Sequence, residues 1–167
     1  HSMKLFEAGL FYAAHGRDAY GEALRTEHYD TLRGWCAWIE RHMEPDGAVL
    51  DWTESNHWAG GYGTFTQAPA AAGVKLFADL AEDAGRDEDA AHFRDVTRRL
   101  MSGLNTRLWG DAANEYLDIP PGLGECYLTF VPQQPDQRNW WDQPVRRIGL
   151  SCYSLAAGYF LQDPRVG

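Results

Sequence analysis

The sequence is poor in cysteine and in basic residues, and it has no long apolar run. Its 167 residues include 3 cysteines, 15 Lys+Arg and 24 Asp+Glu, which gives a net charge of −9. An odd number of cysteines without CxxC or CxH spacing argues against a disulfide framework and a zinc knuckle. The acidity argues against binding to nucleic acid or anionic lipid, because both need a basic face. No apolar run approaches the roughly 20 residues that a transmembrane helix needs.

Several motifs of enzyme and cofactor sites are also missing. The chain has no P-loop, no GxGxxG after a strand, no GxSxG, and no HExxH or HxH pair. The sequence therefore predicts no cofactor, no metal, no nucleic-acid partner and no membrane partner. Its cysteine usage favours a reducing, cytoplasmic location, with secretion as the alternative if a signal segment has been removed. The start, His1-Ser2-Met3, reads as an affinity-tag remnant, and residues 4–167 read as one domain.

Helical periodicity dominates what is present. Hydrophobic residues make up 44% of the chain, which suffices for a packed core. Apolar stripes with spacings of three and four predict helices at about 5–14, 21–43, 67–84, 88–108 and 148–161. Thr66 and Asp87 are the predicted N-caps of the third and fourth helices, and Pro69 is placed in the first turn of the third.

Two stretches, 49–65 and 109–145, lack helical periodicity. Short strands are expected near 116–117 and 127–131 in the second stretch. A structureless loop of that length is uncommon inside a compact domain and is usually functional. The seven tryptophans divide accordingly. Trp35, Trp38 and Trp109 are expected to pack on the helices, whereas the other four lie in the irregular stretches.

One motif occurs twice. The run AHGRDA around Gly16 is echoed by DAGRDE around Gly85, at a separation of 85 − 16 = 69 residues, and each joins two predicted helices. Each glycine is expected to be a left-handed residue that ends a helix. The chain therefore reads as two αα-hairpins in tandem, followed by the start of a third.

These hairpins resemble a known family. The run GVKLFADLAEDAGRDEDAAHFRDVTRRLMSGLNTRLW, which starts at Gly73 and is followed by Asn114-Glu115-Tyr116, resembles the helical hairpins of (α/α)6-toroid glycosidases. The similarity is to the α-L-rhamnosidase-like, trehalase-like and glucoamylase-like group, and the segment 21–51 looks like the preceding hairpin. The resemblance implies an all-α fold of tandem αα-hairpins that form an incomplete (α/α) toroid with a long irregular Trp-rich segment. Six such hairpins would make a chain more than twice as long, so the resemblance implies that residues 4–167 are one helical-hairpin domain that is either a fragment of a larger toroid or a reduced relative.

The segment DWTESNHW, residues 51–58, is the predicted site. By resemblance, Asp51 matches the Asp of a loop that contacts sugar hydroxyls or acts as an acid, and Glu54 is the alternative acid. Glycoside hydrolysis generally needs two carboxyl groups, and Glu125 and Asp142 are candidates for the second. Sugars pack their apolar faces on aromatic rings, while their hydroxyls need polar partners. The expected substrate-binding residues are Trp52, Asn56, His57, Trp58, Trp140, Trp141 and Asp142.

The expected function is hydrolysis of a glycosidic bond, with a carbohydrate as partner and with Asp51 and Glu54 as catalytic residues. Two alternatives stay open. The segment 51–58 is also compatible with a plain polar loop in which Asp, Ser and Asn cap helices. The alternative function is a non-catalytic sugar-binding or scaffold module derived from a toroid glycosidase. In either case the uncovered faces of an incomplete toroid predict a homo-oligomer.

Overall fold

The computed structural model of the protein describes residues 2–50, 61–111, 125–127, 130–132 and 160–161. Most of these residues are helical, which confirms the helical class. The five α-helices within these ranges are α1 (Ser2–His15), α2 (Ala19–Thr26), α3 (Tyr29–Arg41), α4 (Thr64–Asp83) and α5 (Asp87–Gly103). A π-helical turn, Leu104–Leu108, continues α5. The four strands of these ranges are β1 (Gly61–Gly63), β2 (Trp109–Asp111), β3 (Glu125–Tyr127) and β4 (Phe130–Pro132).

Helices α1 and α4 pack closely and run in the same direction. A Cβ atom added to Gly9 would lie 2.7 Å from Leu76 Cβ, and one added to Gly73 would lie 2.9 Å from Phe6 N. Further along both helices, the Tyr12 hydroxyl donates to Asp83 Oδ2 at 2.7 Å. Since the partners advance together along the two helices, the helices are parallel. Glycine on each helix lets the two backbones approach at short range.

Helices α3 and α5 also run parallel to each other, and both run opposite to α4. Asp89 accepts from Tyr29 Oη at 2.8 Å, and Glu40 pairs with Arg99 at 3.4 Å near the other end of α3. Between α4 and α5, the ring of Phe77 lies 5.2 Å from that of Phe93. Gln67 at the start of α4 reaches Leu100 near the end of α5. The helices therefore form two layers, α1 with α4 and α3 with α5. The two helices of each layer are parallel, and the two layers run in opposite directions.

The core lies between these layers and is centred on α4. The apolar stripes predicted for α3 and α5 are confirmed, because their members are buried except for half-buried Met43 at the end of the first. The buried stripe residues are Tyr29, Leu32, Cys36, Ile39, Phe93, Val96, Leu100, Leu104 and Leu108. Trp35 and Trp38 pack half-buried against this core, while Trp109, which was expected to pack, is 45% exposed.

The predicted helix 21–43 is wrong as a single element. The chain forms α2 and α3 instead, with a break at Glu27 and His28. The N–H groups of Glu27 and His28 both donate to Ala23 O, so two donors share one carbonyl oxygen and the regular hydrogen-bond pattern of α2 ends there. Apolar periodicity did not reveal the break, because the stripe from Tyr29 onward has helical spacing on its own.

The beginnings of α4 and α5 also differ from prediction. Helix α4 begins at Thr64, with Gly63 as its N-cap, so Thr66 is not the cap and Pro69 lies beyond the first turn. Helix α5 begins at Asp87, so this residue is not its N-cap but one of three acidic residues in the first turn. Carboxylates in that turn stabilise a helix through its dipole without capping it.

The two glycines of the repeated motif differ. Gly85 has φ +70° and ends α4 in the left-handed conformation, which confirms its predicted role. Gly16 is not among the glycines with positive φ within the described ranges. Its turn is held instead by Asp18, whose side chain accepts from the N–H groups of Tyr20 and Gly21 and caps α2.

Two short antiparallel ladders adjoin the π-helical turn. β1 pairs with β4, so that Tyr62 lies opposite Val131, and β2 pairs with β3, so that Gly110 lies opposite Cys126. The strand predicted at 127–131 corresponds in part to β3 and β4. The strand predicted at 116–117 and most of the helix predicted at 148–161 lie outside the described residues.

Candidate functional site

The predicted site residues lie outside the ranges that the structure describes. This applies to Asp51, Trp52, Glu54, Asn56, His57, Trp58, Trp140, Trp141 and Asp142. Glu125, a candidate second carboxylate, lies in β3, where only its backbone is described. The structure does describe the residues on either side of segment 51–60, and the candidate site is built from them.

A tight turn precedes segment 51–60. The Glu44 N–H donates to Ala48 O at 2.7 Å, the Gly47 N–H donates to Glu44 O at 2.9 Å, and Met43 forms a β-bridge with Val49. Gly47 has φ +93°, a conformation that glycine adopts at little cost. The Pro45-Asp46-Gly47 sequence therefore reverses the chain after α3.

Gln67 fixes this turn to two helices. Its side chain is fully buried, and its Oε1 accepts from Val49 N at 2.7 Å. Its Nε2 donates to Gly47 O at 2.9 Å and to Leu100 O at 2.8 Å. These three hydrogen bonds favour one arrangement of the turn and the two helices. In a different arrangement of these backbones, buried polar groups would lose their partners. The turn is thus joined to the start of α4 and to the end of α5.

Two glycines let the turn lie directly on α5. A Cβ atom at Gly103 would collide with the backbone of Gly47 and Ala48, and one at Gly47 would collide with Arg99 O. The contact is therefore backbone against backbone, with no room for a side chain at either position. This close approach is what brings Asp46 within reach of the π-helical turn.

Asp46, Tyr62 and Arg107 form a group that we call the anchor cluster. The Arg107 Nε donates to Asp46 Oδ2, and the Arg107 guanidinium carbon lies 4.2 Å from the centre of the Tyr62 ring. Tyr62 is 3% exposed, whereas the side chains of Arg107 and Asp46 are about one-third exposed, at 34% and 30%. Asp46 precedes segment 51–60 and Tyr62 follows it, so a single guanidinium contacts both ends of that segment.

The electrostatics of the anchor cluster keep its acid ionised. Partial burial by itself would raise the pKa of Asp46, but the hydrogen bonds from Arg107 and from the Ala48 N–H outweigh it and hold that pKa below its usual value. Burial raises the pKa of the Tyr62 hydroxyl, although the nearby Arg107 charge opposes the shift. The cluster is therefore a carboxylate–guanidinium pair beside a neutral phenol at neutral pH. Such a carboxylate does not act as a general acid.

Sequence reasoning missed the anchor cluster and Gln67. In the sequence-based prediction, Asp46 follows the helix 21–43, Arg107 lies inside the helix 88–108, and Gln67 is the first residue of the helix 67–84, so none of them was assigned a contact. One signal was present: Gln67 directly precedes the apolar run Ala68-Pro69-Ala70-Ala71-Ala72, and a polar side chain that is buried beside such a run needs hydrogen-bond partners.

Neither a metal-ligand cluster nor a membrane span occurs in the described parts of the chain. These ranges hold no group of three or more His, Cys, Asp or Glu side chains placed to bind a metal ion. The same ranges contain no helix with the length and apolar character to cross a membrane.

Comparison with other proteins does not assign the chain to a family. No protein-family model, no curated protein and no solved structure matches it.

Proposed function

We propose that the protein is a carbohydrate-processing domain that hydrolyses a glycosidic bond, built as an incomplete (α/α) toroid. The arrangement of the helices supports the fold part of the proposal. In tandem αα-hairpins the first helices of successive hairpins are parallel neighbours, and so are the second helices. The pairing of α1 with α4 and of α3 with α5 has this pattern.

One observation carries the functional part. Both ends of segment 51–60, the π-helical turn and both strand ladders meet at the same end of the helical layers. In the glycosidases that the sequence resembles, hairpin-connecting loops at one end carry the acids and aromatic residues that hold a sugar. A π-helical turn frequently accompanies a functional site.

The proposed chemistry uses the carboxyl groups of segment 51–60. Asp51 or Glu54 would protonate the glycosidic oxygen or hold sugar hydroxyls, and the aromatic rings of the two irregular stretches would pack on the sugar face. A general acid at neutral pH needs a raised pKa, which apolar neighbours provide by desolvation. The second carboxylate is Glu125 or Asp142 in this proposal.

The test is a screen of monosaccharides and aryl glycosides. Tryptophan fluorescence reports binding, and release of the aryl group reports hydrolysis. We expect the double variant Asp51→Asn/Glu54→Gln to lose about 10³-fold in turnover, the range that general acid–base catalysis supplies. The matched control is Glu27→Gln/Asp30→Asn, which removes two exposed carboxylates near the break between α2 and α3. Equal turnover in the two double variants would contradict the catalytic proposal.

A second candidate function is a non-catalytic module that associates through its helical surface. It is favoured by three contacting rings near the junction of α1 and α2. Phe11 and Tyr20 are 43% and 64% exposed, and the His15 ring lies 4.6 Å from that of Phe11. For this candidate, sedimentation at micromolar concentration should show a dimer that Phe11→Ser/Tyr20→Ser dissociates. A strictly monomeric wild-type chain would rule out self-association.

A further inference from the structure

We propose that Arg107 is a positioning residue, which sets the relation between the two ends of segment 51–60. This inference rests on the proposed carbohydrate function, since it assigns Arg107 the task of orienting the segment that carries the predicted catalytic residues. The contacts that support it lie entirely within the described residues.

The first support is the geometry of the guanidinium. Arg107 donates to the Asp46 carboxylate through Nε, while the face of the same planar group lies 4.2 Å from the centre of the Tyr62 ring. An arginine can do both at once, because its planar group stacks on aromatic rings and donates in its own plane. A lysine ammonium can pair with the carboxylate but cannot stack in this way.

The second support is the position of Arg107 in the chain. It belongs to the π-helical turn that continues α5, so it is attached to a helix rather than to either end of the segment. Its partners Asp46 and Tyr62 lie on opposite sides of segment 51–60 in sequence. Arg107 therefore attaches the residues on both sides of the segment to the end of α5.

The third support is that the turn has an independent attachment. Gln67 holds Gly47 and Val49 whether or not Arg107 is present. Removal of the Arg107 side chain should therefore leave the turn and the helical layers folded. Its effect should concentrate at Tyr62 and the adjacent Gly63, because Arg107 supplies the contact between Tyr62 and the turn.

Amide-resolved hydrogen exchange by NMR tests the structural half of the proposal. In Arg107→Gln, we expect the amides of Tyr62 and Gly63 to exchange about tenfold faster, with the Cys36 amide in α3 unchanged. Arg107→Lys should retain protection at Ala48 and lose it at Tyr62. The matched control Arg98→Gln removes an exposed ion pair within α5 and should leave exchange at both Ala48 and Tyr62 unchanged. Unchanged exchange at Tyr62, or an equal increase throughout α3 and α5, would overturn the proposal.

The functional half is tested with a monosaccharide that quenches the tryptophan fluorescence of the wild-type chain. Arg107→Gln should bind that sugar about tenfold more weakly than Arg98→Gln, although the two variants unfold at similar urea concentrations. Equal affinities would overturn the positioning role. If no sugar binds to the wild-type chain, the carbohydrate function fails, and with it the task assigned to Arg107. Amide hydrogen exchange at Tyr62 then tests separately whether Arg107 holds the two ends of segment 51–60 in place.

Discussion

The two ends of the helical layers use the same residue types in different ways. At the end where α4 finishes, Tyr12 and Tyr29 donate their hydroxyls to Asp83 and Asp89, and Arg25 contacts the first of these tyrosines. At the opposite end, Arg107 lies on the face of Tyr62 and pairs with Asp46. The first arrangement joins helix to helix, whereas the second joins the two ends of a connecting segment.

The difference indicates where the molecule is built for stability and where it is built to hold a segment in place. Hydroxyl-to-carboxylate bonds between helices add to an interface that apolar contacts already define, as the 5.2 Å contact of the Tyr29 and Phe77 rings illustrates. The anchor cluster instead lies beside the backbone contact of Gly47 with Gly103 and the fully bonded side-chain amide of Gln67. Substitutions at the two ends should therefore have effects of different size and extent.

The largest effect is expected where the turn meets α5. Gly103→Ala would force a Cβ atom into the backbone of Gly47 and Ala48, so we expect a loss of about 3 kcal/mol in the free energy of unfolding by urea denaturation. The matched control is Gly34→Ala within α3, where an added Cβ meets nothing within 4 Å. That variant should gain about 0.5 to 1 kcal/mol. Similar stabilities for the two variants would show that the close approach is not required.

The next largest effect is expected for Gln67→Leu. This substitution leaves the Val49 N–H and the carbonyls of Gly47 and Leu100 without their side-chain partner, at a cost of about 2 to 3 kcal/mol in urea denaturation. Thr97→Val is the control, because buried Thr97 makes one bond, to Phe93 O, and should lose about 1 kcal/mol. If Gln67→Leu were no worse than Thr97→Val, the amide would not be what holds the turn.

A smaller effect is expected at the opposite end. Tyr29→Phe removes the hydroxyl that donates to Asp89 and should lower the free energy of unfolding by about 1 kcal/mol. Its ring contacts with Phe77 are retained. Tyr20→Phe, at a side chain that is 64% exposed, should change that free energy by less than 0.5 kcal/mol. A loss for Tyr29→Phe as large as that for Gln67→Leu would remove the contrast between the two ends.

The smallest expected effect is a dependence of the free energy of unfolding on pH, to which both ends of the helical layers contribute. The hydrogen bond from Arg33 lowers the pKa of Asp89 despite its partial burial, and bonds from Arg107 and Ala48 lower that of Asp46. A carboxyl whose pKa is lower when folded stabilises the fold above its unfolded pKa of 3.8. That stabilisation is lost as the pH falls below about 4.

Urea denaturation between pH 6 and pH 3 checks this expectation. Both Asp46→Asn and Asp89→Asn should flatten the decline in stability towards low pH relative to the wild-type chain. An unchanged slope in either variant would show that the corresponding ion pair does not contribute.

Local pattern was enough to predict the helical class and the buried faces of α3 and α5, but it did not reveal the break between α2 and α3. The residues Leu32, Cys36 and Ile39 are three or four positions apart, so their common face is encoded within one helix. Asp46 and Arg107, by contrast, are separated by 61 residues, and their contact depends on how the turn lies on α5. Side-chain chemistry alone could not show that pairing, because several arginines and aspartates were available. The site predicted in segment 51–58 lies outside the described residues and stays a prediction.

The wide π-helical turn is itself a determinant of the direction in which Arg107 points. A π-helical turn accommodates one residue more than an α-helical turn, and each α-helical residue advances about 100° around the axis. Deleting one residue among Asn105 and Thr106 would restore a regular helix and leave Arg107 close to its present direction, whereas an α-helical turn that kept all five residues would rotate Arg107 away from Asp46 and Tyr62. The contacts of Arg107 with Asp46 and Tyr62 therefore depend on whether the turn keeps its π-helical geometry.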